Sequence, residues 1–162
     1  MREADYDVLT SEGEIPRQIQ RLAPATVIID VEPLIASWDS SQHVLDQGIA
    51  SMIGQIQALP SVRVLCFSTN SDRLPSALPS GSPGLRVEYE VSARKPLRTD
   101  PYLSMPRPGV VIGDQIATDG ILARRLGFMF LHFRPEPASM PPGPKLLSGF
   151  GDLLRPVVFG RR

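Results

Sequence analysis

Five points along this chain of 162 residues carry side chains that could do chemistry together: Asp30-Val31-Glu32, Ser68-Thr69-Asn70, Lys95, Asp114 and Asp119. Residues two apart at the end of an extended segment point to one side, about 6–7 Å apart along the chain. Asp30 and Glu32 can therefore face one substrate atom. Asp114 and Asp119 straddle a stretch that reads as strand, turn and helix, so they can converge on one cation. Hard carboxylate oxygens suit Mg²⁺, which is usually held by one or two carboxylates plus water and substrate phosphate. Taken singly, each residue has a plainer reading. Asp30 could cap a turn, Glu32 could be a solvated turn acid, and Lys95 could be a surface lysine. Asp119 could favour a helix N-terminus through the dipole.

Four short apolar runs must position these groups: Thr26 to Asp30, Val62 to Ser68, Gly109 to Asp114 and Phe128 to Phe133. Continuous runs rich in Val, Ile and Phe suit parallel strands covered on both faces. A fifth run, Leu85 to Val91, alternates apolar and charged residues as a half-exposed edge strand does. Between the first two runs, Leu45, Ile49, Met52, Ile53, Ile56 and Leu59 form one apolar stripe at helical spacing. Ser40 or Ser41 can cap that helix, and Pro60 stops it. A second helix is expected from Thr118, as N-cap, to Leu126, with Gly127 ending it. Ile15 to Leu22 gives a weaker helical pattern. Strand and helix signals in alternation predict an α/β fold, a doubly wound, mainly parallel sheet flanked by helices. In such sheets ligands bind beyond the carboxyl ends of the strands, which is where Asp30, Ser68 and Asp114 fall.

Length and composition fit one domain over residues 1–162, with a core of about 25–135, an N-terminal extension 1–24 and a Pro-rich segment and tail from 135. Seventeen basic residues balance seventeen acidic ones, so no broad basic field argues for a nucleic-acid partner. The single cysteine, Cys66, excludes an internal disulfide and any multi-cysteine zinc site. His43 and His132 have no ligand partner at metal spacing. No run reaches the ~18 apolar residues of a membrane span, and the polar start is unlike a secretory signal. A cytoplasmic protein is expected. Seventeen prolines, roughly twice the average usage, cluster at Pro75 to Gly84, Pro96 to Pro108 and Pro135 to Pro144. They mark irregular connections. Leu146 to Leu154 with Val157 to Phe159 is amphipathic, expected to pack on the sheet or else to touch a membrane surface.

The order of motifs resembles the haloacid-dehalogenase superfamily, over most of residues 25–135. It is closest to small capless phosphatases related to phosphatidylglycerophosphate phosphatase. The residues that carry the likeness are DVEPLIASW (Asp30 to Trp38), STN (Ser68 to Asn70), ARKP (Ala93 to Pro96) and GDQIATD (Gly113 to Asp119), running on to Arg125-Leu126-Gly127. The resemblance implies a Mg²⁺-dependent phosphomonoester hydrolase working through an aspartyl phosphate. It makes Asp30 the nucleophile, Glu32 the acid/base, Ser68 and Lys95 catalytic groups that also bind the phosphate, and Thr69 and Asn70 further substrate contacts. Asp30, Asp114 and Asp119 would hold the metal.

The chain departs from that family's pattern at three places. Glu32 stands where the family has Asp, and Pro33-Leu34 replace Asn-Thr. The stretch from Lys95 to Gly109 carries four prolines where the relatives have a helix. Slow hydrolysis is therefore expected, improved by Glu32→Asp, and the alternative is a catalytically degenerate binding or scaffold protein. Only 37 residues separate Asp30 from Ser68 and 26 separate Ser68 from Lys95. Neither interval holds a cap domain. An open site suits a phosphate on something large, such as a phospholipid head group, and a location peripheral to a membrane would fit that substrate. A receiver domain orders its acids and lysine differently, and VIIDVEP has no GxGxxG for a dinucleotide.

Overall fold

The computed structural model describes residues 6–134 together with 155, 156, 158 and 159. Six strands form one sheet: β1 (Tyr6–Leu9), β2 (Thr26–Asp30), β3 (Val64–Ser68), β4 (Arg86–Glu90), β5 (Gly109–Gly113) and β6 (Met129–Phe133). Their spatial order is β1-β6-β5-β2-β3-β4, and every pairing is parallel. Among the described residues three helices flank the sheet: α1 (Ile15–Leu22), α2 (Gln42–Ile56) and α3 (Ile121–Leu126). The architecture is a doubly wound α/β fold.

Side-chain alternation sorts the strands into two covered faces. Val27, Ile29, Leu65, Phe67, Val110, Ile112 and Leu131 pack under α1 and α2. Ile28, Cys66, Val111 and Phe130 turn to the other face, under α3 and the residues Tyr102 and Met105. Each central strand is therefore buried on both sides, which is why its sequence is apolar throughout. The chain leaves β2 towards β3 but leaves β5 towards β6 on the opposite side. The winding thus reverses between β2 and β5, the place where open α/β sheets bind their ligands.

Several expectations are refined. The N-terminal extension contains β1, an edge strand in register with β6 from Tyr6↔Phe130 to Leu9↔Phe133. Helix α2 starts at a Ser41 cap, whose hydroxyl accepts from the Val44 amide at 3.4 Å, and ends at Ile56. The expected edge strand is β4. Thr118 caps no helix. Ile116–Gly120 instead form a π-helical turn that runs straight into α3, while Gly127 does end α3 in the left-handed region at φ 65°. The proline-rich stretch after Lys95 makes a single 3₁₀ turn, Asp100–Tyr102, and covers the sheet with Tyr102 and Met105. At the other end of the chain, Phe159 lies parallel to Phe130 at 5.7 Å and Val158 is buried beside them. Leu146 to Leu154 lie outside the described residues. No helix among the described residues is long and apolar enough to cross a membrane.

Candidate active site

Lys95 is the centre of the site, and its placement takes an unusual turn. Ser92 and Arg94 sit in the left-handed region at φ 47° and 52°, a conformation that costs a non-glycine residue about 1 kcal/mol or more. That turn is tied to the segment after β3: the Ser92 amide donates to the Ser71 carbonyl and the Ala93 amide to the Thr69 carbonyl. Asn70 completes the clamp, its Oδ1 accepting from the Lys95 amide at 2.8 Å. The lysine side chain then runs inward. Its Nζ lies 2.8 Å from Asp30 Oδ1 and 2.7 Å from Asp119 Oδ1, and donates to the Ser68 carbonyl at 3.4 Å.

Three acids converge there. One oxygen from each of Asp30, Asp114 and Asp119 lies within 4.8 Å of the others, and all three residues are buried. Asp119 gets this close because residue 113 is glycine: a Cβ there would overlap the Asp119 carboxyl. Three carboxylates against one ammonium leave a formal charge of −2 in a buried volume. The protonation tendencies reflect that. Burial, then the charge of Asp119, pushes the Asp30 carboxyl well above its ordinary range. The same two causes push Asp114 up to about 7. Burial alone would lower the Lys95 ammonium, but the charges of Asp119 and Asp30 and its bonds to both hold it above its usual value. Both carboxylate oxygens of Asp114 are buried and meet no hydrogen-bond donor among the described residues. A buried polar atom left so is costly. Behind Asp114, His132 spans from the Tyr6 hydroxyl (2.7 Å at Nδ1) to the Asp114 carbonyl (3.0 Å at Nε2). A carbonyl only accepts, so Nε2 carries a proton.

Above these groups is a small cavity of about 90 Å³ whose walls include Asp30, Glu32, Trp38 and Asn70. Ser71, Gln115 and Thr118 complete its lining. Glu32 faces it with its carboxyl held from behind: Thr69 Oγ1 donates to Oε2 at 2.7 Å, and Ser71 Oγ stands 3.4 Å from Oε1. Trp38 rims the cavity on the loop between β2 and α2. Arg73 pins that loop, donating to the carbonyls of Ser37, Ser40 and Ser41.

Asp30, Glu32, Asp114 and Asp119, at the ends of β2 and β5 and the turns that follow them, and Lys95, on the turn after β4, are thus brought close together, and of these five Asp30 and Glu32 line the cavity. Two hydroxyls go elsewhere. Ser68 is fully buried with its Oγ 2.7 Å from the Tyr102 hydroxyl, and it does not line the cavity. Thr69 serves Glu32, and Asn70 lines the cavity while clamping the Lys95 backbone. Ser71, Gln115 and Thr118 were not assigned to the site from the sequence, although Gln115 and Thr118 sit inside GDQIATD and Ser71 ends a hydroxyl-rich run. Tyr102 carried no sequence signal. Comparison with protein-family models, curated proteins and solved structures gave no match.

Proposed function

We propose that the chain is a phosphomonoester hydrolase in which Asp30 is the nucleophile and a divalent cation, Mg²⁺, is held beside it. The reading rests on one observation above all. Asp114 presents two buried carboxylate oxygens with no hydrogen-bond partner among the described residues, and one of them lies within 4.8 Å of an oxygen of each of Asp30 and Asp119, at the reversal point of the sheet. The donor set fits the cation: hard oxygens only, and a formal −2 that a divalent ion neutralises. Asp114 and Asp30 would hold it, with Asp119 at hand. When bound, it supplies positive charge against the phosphoryl oxygens.

The protein's own groups account for the rest. Asp30 Oδ attacks phosphorus and the ester P–O bond breaks, with Glu32 giving its proton to the departing oxygen. Water then attacks the aspartyl phosphate, Glu32 takes a proton from that water, and the P–O bond to Asp30 breaks to give inorganic phosphate and free Asp30. Lys95 holds Asp30 in place and offsets charge at that oxygen. Fixed electrostatics and positioning are what such a transfer needs. A cavity of about 90 Å³ accommodates little more than a phosphoryl group, so the remainder of the substrate lies outside it. A large or lipid-linked phosphate, met by a protein at or near a membrane surface, suits that geometry. The motif order that resembles haloacid-dehalogenase phosphatases supports the same reading.

One observation favours the alternative of a catalytically degenerate binding or scaffold protein: the Ser68 hydroxyl is engaged by Tyr102. Mg²⁺-dependent release of phosphate from p-nitrophenyl phosphate separates the two. The hydrolase reading requires turnover that Asp30→Asn abolishes. Activity retained in that variant overturns the aspartyl-phosphate route, and inactivity of the native chain on lipid, sugar and protein phosphates alike replaces it with the binding or scaffold protein.

A further inference from the structure

Counting protons around Glu32 gives the hydroxyls a direction. Thr69 Oγ1 sits 2.7 Å from Glu32 Oε2, 2.8 Å from Ser71 Oγ and 3.0 Å from the Ser71 amide. Thr69 has one hydroxyl hydrogen, and the carboxyl is the strongest acceptor in reach, so it donates to Glu32. Ser71 then donates across the shorter contact to Thr69, while its own oxygen accepts from the Arg73 amide at 3.2 Å. The result is a chain of oriented donors, Arg73 amide to Ser71 to Thr69 to Glu32, each polarising the next. The chain is anchored, because the Arg73 guanidinium grips the Ser37, Ser40 and Ser41 carbonyls and its own carbonyl accepts from the Tyr89 hydroxyl at 3.0 Å.

We infer that Thr69, backed by Ser71, is a positioning residue that aims Glu32 as the proton donor, and that the site is built for glutamate at this position. The inference rests on the phosphatase reading. With Oε2 occupied by the Thr69 hydrogen, the transferable proton belongs on Oε1. A carboxyl one methylene shorter would have to choose between the Thr69 contact and the cavity. The expectation that Glu32→Asp improves the enzyme is therefore reversed: that substitution costs about 10–100-fold, the scale of a 1 Å misplacement.

The test exploits the leaving group. Proton donation matters for an alkyl or phenyl phosphate and hardly at all for p-nitrophenyl phosphate, whose leaving group departs as an anion. Single-turnover release of the alcohol or phenol is measured for both kinds of ester in the native chain, Thr69→Val, Thr69→Ser, Ser71→Ala and Glu32→Asp, with thermal melts to show that each is folded. Thr69→Val should lose about 10-fold or more on phenyl phosphate and under about 3-fold on the nitrophenyl ester, with Thr69→Ser restoring the rate. Ser71→Ala should show the same pattern at smaller amplitude. Equal losses on both esters, failure of Thr69→Ser to restore, or a Glu32→Asp variant faster than native overturns the inference while leaving the hydrolase intact. A native chain without Asp30-dependent turnover of either ester overturns the hydrolase reading, and this inference falls with it.

Discussion

The two halves of the site treat their acids in opposite ways. On the β2–β3 side, Glu32 accepts from the Thr69 hydroxyl at 2.7 Å, itself backed by Ser71 at 2.8 Å. On the β5 side, Asp114 is buried too, yet neither carboxylate oxygen meets a donor among the described residues. Both acids lie at strand ends a few residues from apolar cores, so burial alone does not explain the contrast. A carboxyl already supplied with donors is held by the protein itself. One stripped of donors, beside two further carboxylates, has electrostatic room for a cation. The lysine between the halves balances only part of the charge.

Removing that lysine should have the largest effect on the contrast. Lys95→Met leaves Asp30 and Asp119 buried without their counter-charge, which is expected to cost about 3–5 kcal/mol in urea unfolding. Adding Asp119→Asn should recover part of it. A loss below about 1 kcal/mol would place the pair in effective solvent contact and void the charge argument.

Asp114→Asn works in the other direction. Without metal at pH 8 it should stabilise the fold, by up to about 4 kcal/mol, because the native carboxyl is held near 7 against an ordinary value of 3.8. The sign follows from proton counting. Between about pH 4 and 7 the folded protein keeps a proton on Asp114 that the unfolded chain has released. Stability therefore falls as pH rises through that window and levels off above it. Asp30, also raised, adds to the fall. The difference between native and Asp114→Asn midpoints, measured in EDTA from pH 4.5 to 8, should grow with pH. In Mg²⁺ the native chain should gain stability and the variant should not. A variant that responds to Mg²⁺ like the native chain removes Asp114 from the metal site.

Gly113→Ala tests the close approach that joins the halves. The added methyl meets the Asp119 carboxyl, so a loss of about 1–3 kcal/mol and a weakened Mg²⁺ response are expected. The smallest change should come far from both halves. Ala23 ends α1 in the left-handed region at φ 46°, where glycine is preferred, and Ala23→Gly should gain about 0.5 kcal/mol with an unaltered Mg²⁺ response. A changed response there would mean that the halves are not separable from global stability.

Legibility in the sequence followed burial. β2, β3, β5 and β6 are apolar at nearly every position because both faces are covered, so their runs stood out. β1 did not, since Tyr6–Leu9 is four residues long, includes Asp7 and pairs with β6 more than 120 residues later. Thr118 looked like a helix cap because a threonine before a helical pattern usually is one. The π-helical turn that displaces it brings Asp119 to 2.7 Å from the Lys95 ammonium, a long-range contact that local propensity does not record.

Residue types along the strands were enough to put Asp30, Ser68 and Asp114 at the carboxyl ends of a parallel sheet, while only the order of motifs brought Lys95 to them. That follows from strand periodicity and from the rule that strand ends face the same way. Where each hydroxyl points was decided only in three dimensions. Ser68, Thr69 and Ser71 share one short run, yet Ser68 turns to Tyr102, Thr69 to Glu32 and Ser71 to Thr69. Tyr102 reaches Ser68 from 34 positions further along the chain, beyond β4. A hydrogen bond depends on distances of a few tenths of an ångström, and those are set by packing between elements remote in sequence. The same holds for Asp114, whose lack of donors is a property of everything folded around it and of no residue beside it.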